Sequence, residues 1–117
     1  MLKLNRRDRG NVAILELGGR LMGGPDSDHF TREIKNLIEQ GRVHVVVDLS
    51  GVAWVNSSGL GLLIAAYTSL KEKGGGLKLL NVSRRIEQIL QVTKLSTVFE
   101  AYTDEEAVVG SFPKGGA

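Results

Sequence analysis

Short apolar runs alternate with helical patterns along this chain. Five segments have the length and composition of strands: Leu2 to Arg7, Val12 to Leu17, Val43 to Leu49, Leu77 to Leu80 and Val98 to Tyr102. The turn-forming residues 8–11 between the first two predict a β-hairpin. The third run is almost entirely β-branched, which is typical of a strand buried on both faces of a sheet.

Helical periodicity predicts four helices between and after these strands. Their starts are marked by capping residues: Asp26 to Asp28, Asn56 or Ser57, Ser83, and Thr103 with Glu106 in a capping box. The second helix, from about Ser58 to Lys73, is apolar almost all round. It is therefore either fully buried, or one of its sides is a surface for a partner. In the third helix we expect Ile86, Ile89, Leu90 and Thr93 to point inward.

The order of these elements predicts a single small α/β domain. Strands that alternate with helices imply parallel neighbours joined by right-handed crossovers, and the initial hairpin makes the sheet mixed. We expect a mostly parallel sheet of about five strands with about four helices. The glycine-rich residues 20–25 and the segment 50–55 are predicted to be loops. The domain is predicted to span residues 1–110, and residues 111–117 to form a flexible tail without an apolar anchor.

Composition narrows the classes of function. With 117 residues the chain is long enough for one core, and the absence of cysteine excludes disulfides, thiolate metal sites and cysteine nucleophiles. The net charge is only +2, and aromatic residues make up 5% of the chain, which leaves no stacking platform for nucleic acid. The basic cluster Lys3, Arg6, Arg7 and Arg9 is interpreted as a solvated edge strand and turn. We therefore expect no direct contact with nucleic acid.

No apolar run approaches the roughly 18 residues that a membrane span requires. The first residues also lack the apolar stretch of a signal peptide. From these two observations we expect no membrane span and a cytoplasmic location.

The segment Asn56-Ser57-Ser58-Gly59-Leu60-Gly61 carries the candidate chemistry. Two hydroxyls at a helix N-terminus lie in a positive field, beside backbone N–H groups that have no partner inside the helix. A phosphate placed there would be held by these groups. The simpler alternative is that Asn56 or Ser57 only caps the helix and that the glycines only allow close packing. However, Gly59 and Gly61 are poor helix formers, and such residues are often found where something approaches the backbone.

Residues for catalysis are missing from this segment. It is not the Gly-x-Ser-x-Gly nucleophile elbow, and nothing in the sequence places His29 or His44 against its serines. The glycines at 74–76 are not followed by the lysine and serine of a P-loop, and no set of metal ligands is recognisable. We therefore predict a protein that is not an enzyme, with no metal and no cofactor.

Residues 45–52 and 55–61, read as Val-Val-Val-Asp-Leu-Ser-Gly-Val and Val-Asn-Ser-Ser-Gly-Leu-Gly, resemble the STAS domain of bacterial anti-sigma factor antagonists. The resemblance extends over nearly the whole chain. It implies a domain that binds an anti-sigma factor serine kinase and thereby regulates sigma-factor-dependent transcription. The kinase phosphorylates the domain, and a protein phosphatase reverses the modification.

The resemblance also implies the site residues. The phosphoacceptor falls on Ser58, with Ser57 as the alternate. The expected contacts with the kinase are Leu21, Met22, Gly23, Gly24, Asn56, Ser57, Ser58, Gly59 and Leu60. The family usually has aspartate where this chain has Asn56. We expect a monomer or a weak dimer.

Two other functions remain open at this point. One is a STAS domain that is not phosphorylated and serves as an interaction or scaffold domain in a signalling or envelope-maintenance complex. The other, less favoured, is a domain that binds a nucleotide or another small molecule at the helix N-terminus.

Overall fold

The computed structural model describes residues 2–113 of the chain. Within these residues, strands and helices follow in the order β1 (Leu2–Arg9), β2 (Val12–Leu21), α1 (Asp28–Glu39), β3 (His44–Val55), α2 (Ser57–Glu72), β4 (Gly76–Leu80), α3 (Arg84–Val92), β5 (Ala101–Tyr102) and α4 (Glu105–Gly110). Single turns of 3-10 helix lie at Pro25–Ser27 and Leu95–Thr97.

The strands form one sheet in the order β1-β2-β3-β4-β5. β1 is antiparallel to β2, and each later neighbouring pair is parallel. The predicted hairpin and the predicted mixed, mostly parallel α/β sheet are both confirmed. The helices that connect the parallel strands pack on one face of the sheet, and that face is therefore well covered.

The sheet has a different cover on each face. The larger core lies under α1, α2 and α3, where alternate β2 residues such as Leu15 and Leu17 meet buried residues such as Phe30, Leu63 and Ile86. A smaller core lies on the other face, where α4 packs near the first residues of β2 and β3 and the end of β4. Its members are Val12, Ile14, Val46, Leu80, Val108 and Phe112.

The predicted loop 50–55 is wrong and the predicted loop 20–25 begins two residues later than expected, because β2 and β3 both run further than predicted. β2 continues to Leu21 and β3 continues to Val55, and the two strands pair with each other beyond the end of β4. The pairing shifts register after Glu16 and after Gly19. At Gly51, a Cβ atom would lie 2.9 Å from the carbonyl oxygen of Leu17. The glycines that suggested loops are therefore positions of bulges and close backbone contact inside a ladder.

The predicted strand 98–102 is also shorter in the structure. A 3-10 turn occupies residues 95–97, and only Ala101 and Tyr102 pair with β4. Thr93, expected to point inward, is exposed. Its hydroxyl donates to the carbonyl of Ile89 at 2.7 Å, so it closes the end of α3 instead of joining the core.

The start of α4 and the predicted tail need correction as well. Asp104, not Thr103, is the N-cap, and its carboxylate accepts the N–H of Ala107 at 2.9 Å. Phe112 is buried in the smaller core, so the expectation of no apolar anchor after residue 110 is wrong at this position. The remainder of the predicted tail, residues 114–117, lies outside the described residues.

Ion pairs connect the N-terminal basic cluster to α4. Arg7 and Arg9 both donate to the Glu105 carboxylate, and Arg9 also pairs with Glu106 at 2.7 Å. Arg6 pairs with Asp8 at 3.2 Å. The hydrogen bonds from Arg7 and then Arg9 hold the pKa of Glu105 at about 2, below its ordinary range. These contacts join β1 to an element about a hundred positions further along the chain.

The depressed pKa of Glu105 predicts a loss of stability in acid. A carboxylate whose pKa is lower in the folded state than in the unfolded state stabilises the fold above its unfolded pKa of about 4.3. This contribution falls as the pH drops from there towards 2. We expect Glu105→Gln to lower the free energy of unfolding at pH 7 by about 1 kcal/mol, as for a partly exposed ion-pair network.

Urea unfolding at pH 7, 5 and 3 checks this expectation. Glu105→Gln should lose less stability between pH 5 and pH 3 than the wild type. Glu39→Gln is the control, because Glu39 is exposed and forms no ion pair with any residue in the range 2–113. Equal pH dependence of the wild type and Glu105→Gln would contradict the assignment.

Candidate functional site

Helix α2 begins directly after β3. Its N-cap is Asn56, one of the two residues predicted for this role. The backbone of Asn56 is extended, and its Oδ1 accepts the N–H of Gly59 at 2.8 Å. Its carbonyl accepts the N–H of Leu60 at 3.0 Å. The neutral amide thus satisfies one of the free N–H groups of the first turn. Ser57 and Ser58 are the first two helical residues, and both are exposed.

The end of β2 lies against this first turn. The N–H of Asn56 donates to the carbonyl oxygen of Leu21 at 3.3 Å. A Cβ atom at Gly59 would lie only 1.9 Å from that same oxygen. Gly59 is therefore required for the close approach of two backbones. Gly61 is different, because a Cβ atom there would meet nothing within 4 Å.

The loop after β2 continues over the serines. Gly23 has a φ of +75°, and a Cβ atom on it would lie 2.7 Å from Cβ of Ser58 and 3.6 Å from its Oγ. Met22 beside it has 39% of its surface exposed. The two segments that the sequence indicated separately, residues 21–24 and 56–60, therefore meet at one end of the sheet.

Burial divides the predicted contact residues into two groups. Ser57, Ser58, Met22 and Gly24 are exposed, and Asn56 and Gly23 are half-buried. Leu21, Gly59 and Leu60 are buried. The expectation that Leu21 and Leu60 contact a partner is not supported for their side chains, because both belong to the larger core. The side chains of Leu21 and Leu60 pack in the core beneath the site and thereby support it.

The outer side of α2 is exposed, and it carries no charge from Ser57 as far as Thr68; the charged residues Lys71 and Glu72 follow only in the last turn. We call the exposed residues Ser57, Ser58, Gly61, Ile64, Ala65 and Thr68 the α2 outer face. Of the two alternatives for this helix, full burial is wrong, because Leu63, Ala66 and Leu70 are buried whereas Ile64 is 38% exposed.

Two exposed hydroxyls lie at the start of α2, and His44 lies far from them. His44 stands at the first residue of β3, whereas Ser58 follows its last residue, so roughly 35 Å of strand separates them. The ring of His44 stacks on Phe112 instead, with 5.3 Å between the ring centroids. Among residues 2–113, no group of three or more His, Asp or Glu side chains is arranged to hold a metal ion. None of the helices in this range has the length and apolar composition needed to cross a membrane.

A family model and two relatives of known function give the same family for this chain. The family model for the STAS domain matches residues 3–108. The chain is 25% identical over 105 residues to the anti-sigma F factor antagonist of Paenibacillus polymyxa, covering 89% of each chain. It is 32% identical over 73 residues to the anti-sigma-B factor antagonist of Bacillus subtilis, covering 62% of this chain and 66% of that one.

A solved structure has a similar fold. The crystal structure of an anti-sigma factor antagonist from Mycobacterium paratuberculosis superposes with a TM-score of 0.79 at 19% identity, covering 95% of this chain and 93% of that one. At this identity the likeness concerns the fold.

The two glycines of the first turn should respond oppositely to alanine. Gly59→Ala places a methyl group against the Leu21 carbonyl, and we expect it to lower the free energy of unfolding by about 3 kcal/mol. Gly61→Ala enters open space on the helix surface and should raise stability by up to roughly 1 kcal/mol. Urea unfolding measures both, and similar changes in the two variants would contradict the close contact at Gly59.

The cap at Asn56 makes a second prediction. Asn56→Ala should lower the free energy of unfolding by about 1 kcal/mol, because the N–H of Gly59 loses its acceptor. Asn56→Asp keeps the acceptor and adds a negative charge at the helix N-terminus, so it should be at least as stable as the wild type. Ser57→Ala is the control, since it leaves the cap intact. Thermal and urea unfolding of the three variants check the order.

Proposed function

The chain belongs to the STAS domain family, which confirms the resemblance seen in its sequence, and on that premise we propose that it is an anti-sigma factor antagonist. It binds an anti-sigma factor serine kinase and is switched by reversible phosphorylation at Ser58. It thereby regulates sigma-factor-dependent transcription in the cytoplasm as a regulator without catalytic activity of its own. A protein phosphatase returns it to the binding form.

The observation that carries this proposal is the position of Ser58. Its side chain is exposed in the first turn of α2, and the Gly23 loop lies directly against it. A phosphoryl group on Ser58 would bring about −1.5 to −2 charges to a helix N-terminus, where the helix dipole and the free N–H groups reduce its cost. The fold therefore tolerates both states, and the difference between them is felt mainly by a partner.

The α2 outer face explains how one phosphate can release a partner. Ser58 lies in a surface of small, uncharged residues, with Met22 on one side and Ile64 on the other. A partner that packs on this surface would have to desolvate the phosphate, and the α2 outer face itself has no charged side chain to match it. An uncompensated charge in an interface costs several kcal/mol, which is enough to change a bound state into a released one.

The choice of Ser58 over Ser57 rests on two arguments. The family's acceptor is the serine directly before the glycine, which is Ser58 here. Of the two serines, Ser58 is the one that a Cβ atom on Gly23 would touch, so the loop and the acceptor form one surface. Ser57 is also exposed and serves as the natural control.

Intact-mass measurement tests the switch. The wild type is incubated with ATP and, one at a time, with each purified anti-sigma factor kinase of the source genome. We expect one kinase to add the mass of one phosphate, Ser57→Ala to gain it as well, and Ser58→Ala to gain none. In binding measurements with that kinase, Ser58→Ala should bind like the wild type and Ser58→Asp at least tenfold more weakly.

Other outcomes would replace the proposal. A mass gain that persists in Ser58→Ala and is lost in Ser57→Ala moves the acceptor to Ser57. A kinase that binds tightly without any mass gain, and binds Ser58→Asp equally well, favours the interaction or scaffold domain that is not phosphorylated.

A further inference from the structure

An exposed apolar surface lies beside the phosphorylation site, where the end of β3 meets α3. We call it the Trp54 patch, and it consists of Trp54, Arg85, Ile89 and Val92 around a shallow cleft of about 350 Å³ that Gln88 and Thr93 complete. Trp54 is 39% exposed and Val92 is 84% exposed, whereas Ile89 is half-buried between the cleft and the larger core. Single exposed apolar residues are common, but a contiguous group of them marks an interaction surface more often than chance.

The side chains of the patch are held in place for contact. The guanidinium carbon of Arg85 stands 4.4 Å from the centre of the Trp54 ring. This stacking limits the rotation of two large side chains before any partner arrives, so less conformational entropy remains to be lost on binding. Tryptophan and arginine are also the residues most enriched among those that dominate binding energy at protein interfaces.

Val92 has no evident structural role in α3. It is the last residue of the helix, it is the most exposed large apolar side chain among residues 2–113, and β-branched residues are weak helix formers. The residues that anchor α3 to the core are Ile86 and Leu90, on the other side of the helix. Val92 can therefore be changed without disturbing the fold.

The charges around Trp54 indicate what kind of partner fits. Arg85 covers its ring, and Arg20 is its neighbour in the register between β2 and β3. The nearest carboxylate of α3, Glu87, lines a different cleft with Phe99 and Tyr102. The patch is therefore apolar with a cationic edge, and it complements an apolar segment that carries a carboxylate.

The patch is continuous with the proposed kinase-binding surface. Trp54 precedes Asn56 by two residues, and Arg20 precedes Met22 by two residues, which is about 7 Å along a strand. The α2 outer face has mostly small side chains, whereas a stable interface usually buries about 800 Å² on each partner around a few large anchors. The Trp54 patch supplies the anchor that the α2 outer face lacks.

We propose that the anti-sigma factor kinase bound at Ser58 also places an apolar segment with an acidic residue on the Trp54 patch. This inference rests on the function proposed above and adds a second contact to it. The contact at Ser58 responds to phosphorylation, while the Trp54 patch contributes affinity and selects the kinase by shape and charge.

Binding measurements with the kinase that phosphorylates the wild type test the second contact. We expect Val92→Glu and Trp54→Ala each to raise the dissociation constant at least tenfold, and Val92→Lys to bind as tightly as the wild type or more tightly. Gln91→Glu is the matched control, because it adds the same charge one residue away on the side of α3 that faces the other cleft. It should bind within twofold of the wild type. Circular dichroism and thermal unfolding verify the fold of each variant.

A direct readout comes from Trp54, which is the only tryptophan of the chain. With 5-fluorotryptophan incorporated, a single ¹⁹F resonance reports on the patch, and it should shift when the unlabelled kinase is added.

The outcomes separate the two proposals. One outcome overturns only the second contact: Ser58→Asp weakens binding of the kinase, but Val92→Glu and Trp54→Ala bind like the wild type and the ¹⁹F resonance does not shift. The phosphorylation switch would then still stand. An equal loss in Gln91→Glu would also overturn the second contact, because the effect would then be a general one of charge on α3. If no kinase binds the wild type, both proposals fall.

Discussion

The contact between the Leu21 carbonyl and the first turn of α2 determines the geometry of the site. The carbonyl accepts the N–H of Asn56 and leaves room only for a glycine at position 59. This contact fixes the end of β2 against the start of α2, and it also brings the following loop, with Gly23, against Ser58. The Ser58 hydroxyl is thus positioned by backbone packing against the larger core, together with the Asn56 cap on the same turn. A site supported in this way keeps its shape whether or not the hydroxyl is modified.

Much of the fold follows from local rules. Hydrophobic periodicity, turn residues and caps were enough to predict the hairpin, the order of strands and helices, and the cap at Ser83, because each depends on neighbours within a few residues. For α2 they narrowed the cap to Asn56 or Ser57, of which Asn56 holds. The family resemblance then indicated Ser58, which we propose as the acceptor. The glycines at 18–19 and 51 were misleading, since a bulge within a ladder and the end of a strand have the same local composition.

The rest of the site depends on contacts between distant parts of the chain. The approach of Gly23 to Ser58 spans thirty-five positions, and the stacking of Arg85 on Trp54 spans thirty-one, so neither has a local signature. The exposure of Ile64 could not be separated from burial either, because an apolar residue in an apolar helix fits both. Phe112 shows the opposite case. It lies in a glycine-rich segment that was predicted to have no apolar anchor, yet its ring is buried against the sheet.

The register of the β1–β2 hairpin determines how far Leu2 and Pro113 lie from Ser58. Leu2 pairs with Gly19, near the same end of the sheet as Ser58, whereas Asn11 donates to the carbonyl of Pro113 at 3.0 Å at the opposite end of β2. The length of β2, about 30 Å, lies between these two points. A tag, a fluorescent protein or a further domain joined after Pro113 would therefore emerge away from Ser58. The same addition before Leu2 would emerge beside the serine, so the domain is best immobilised or fused through its C-terminal side.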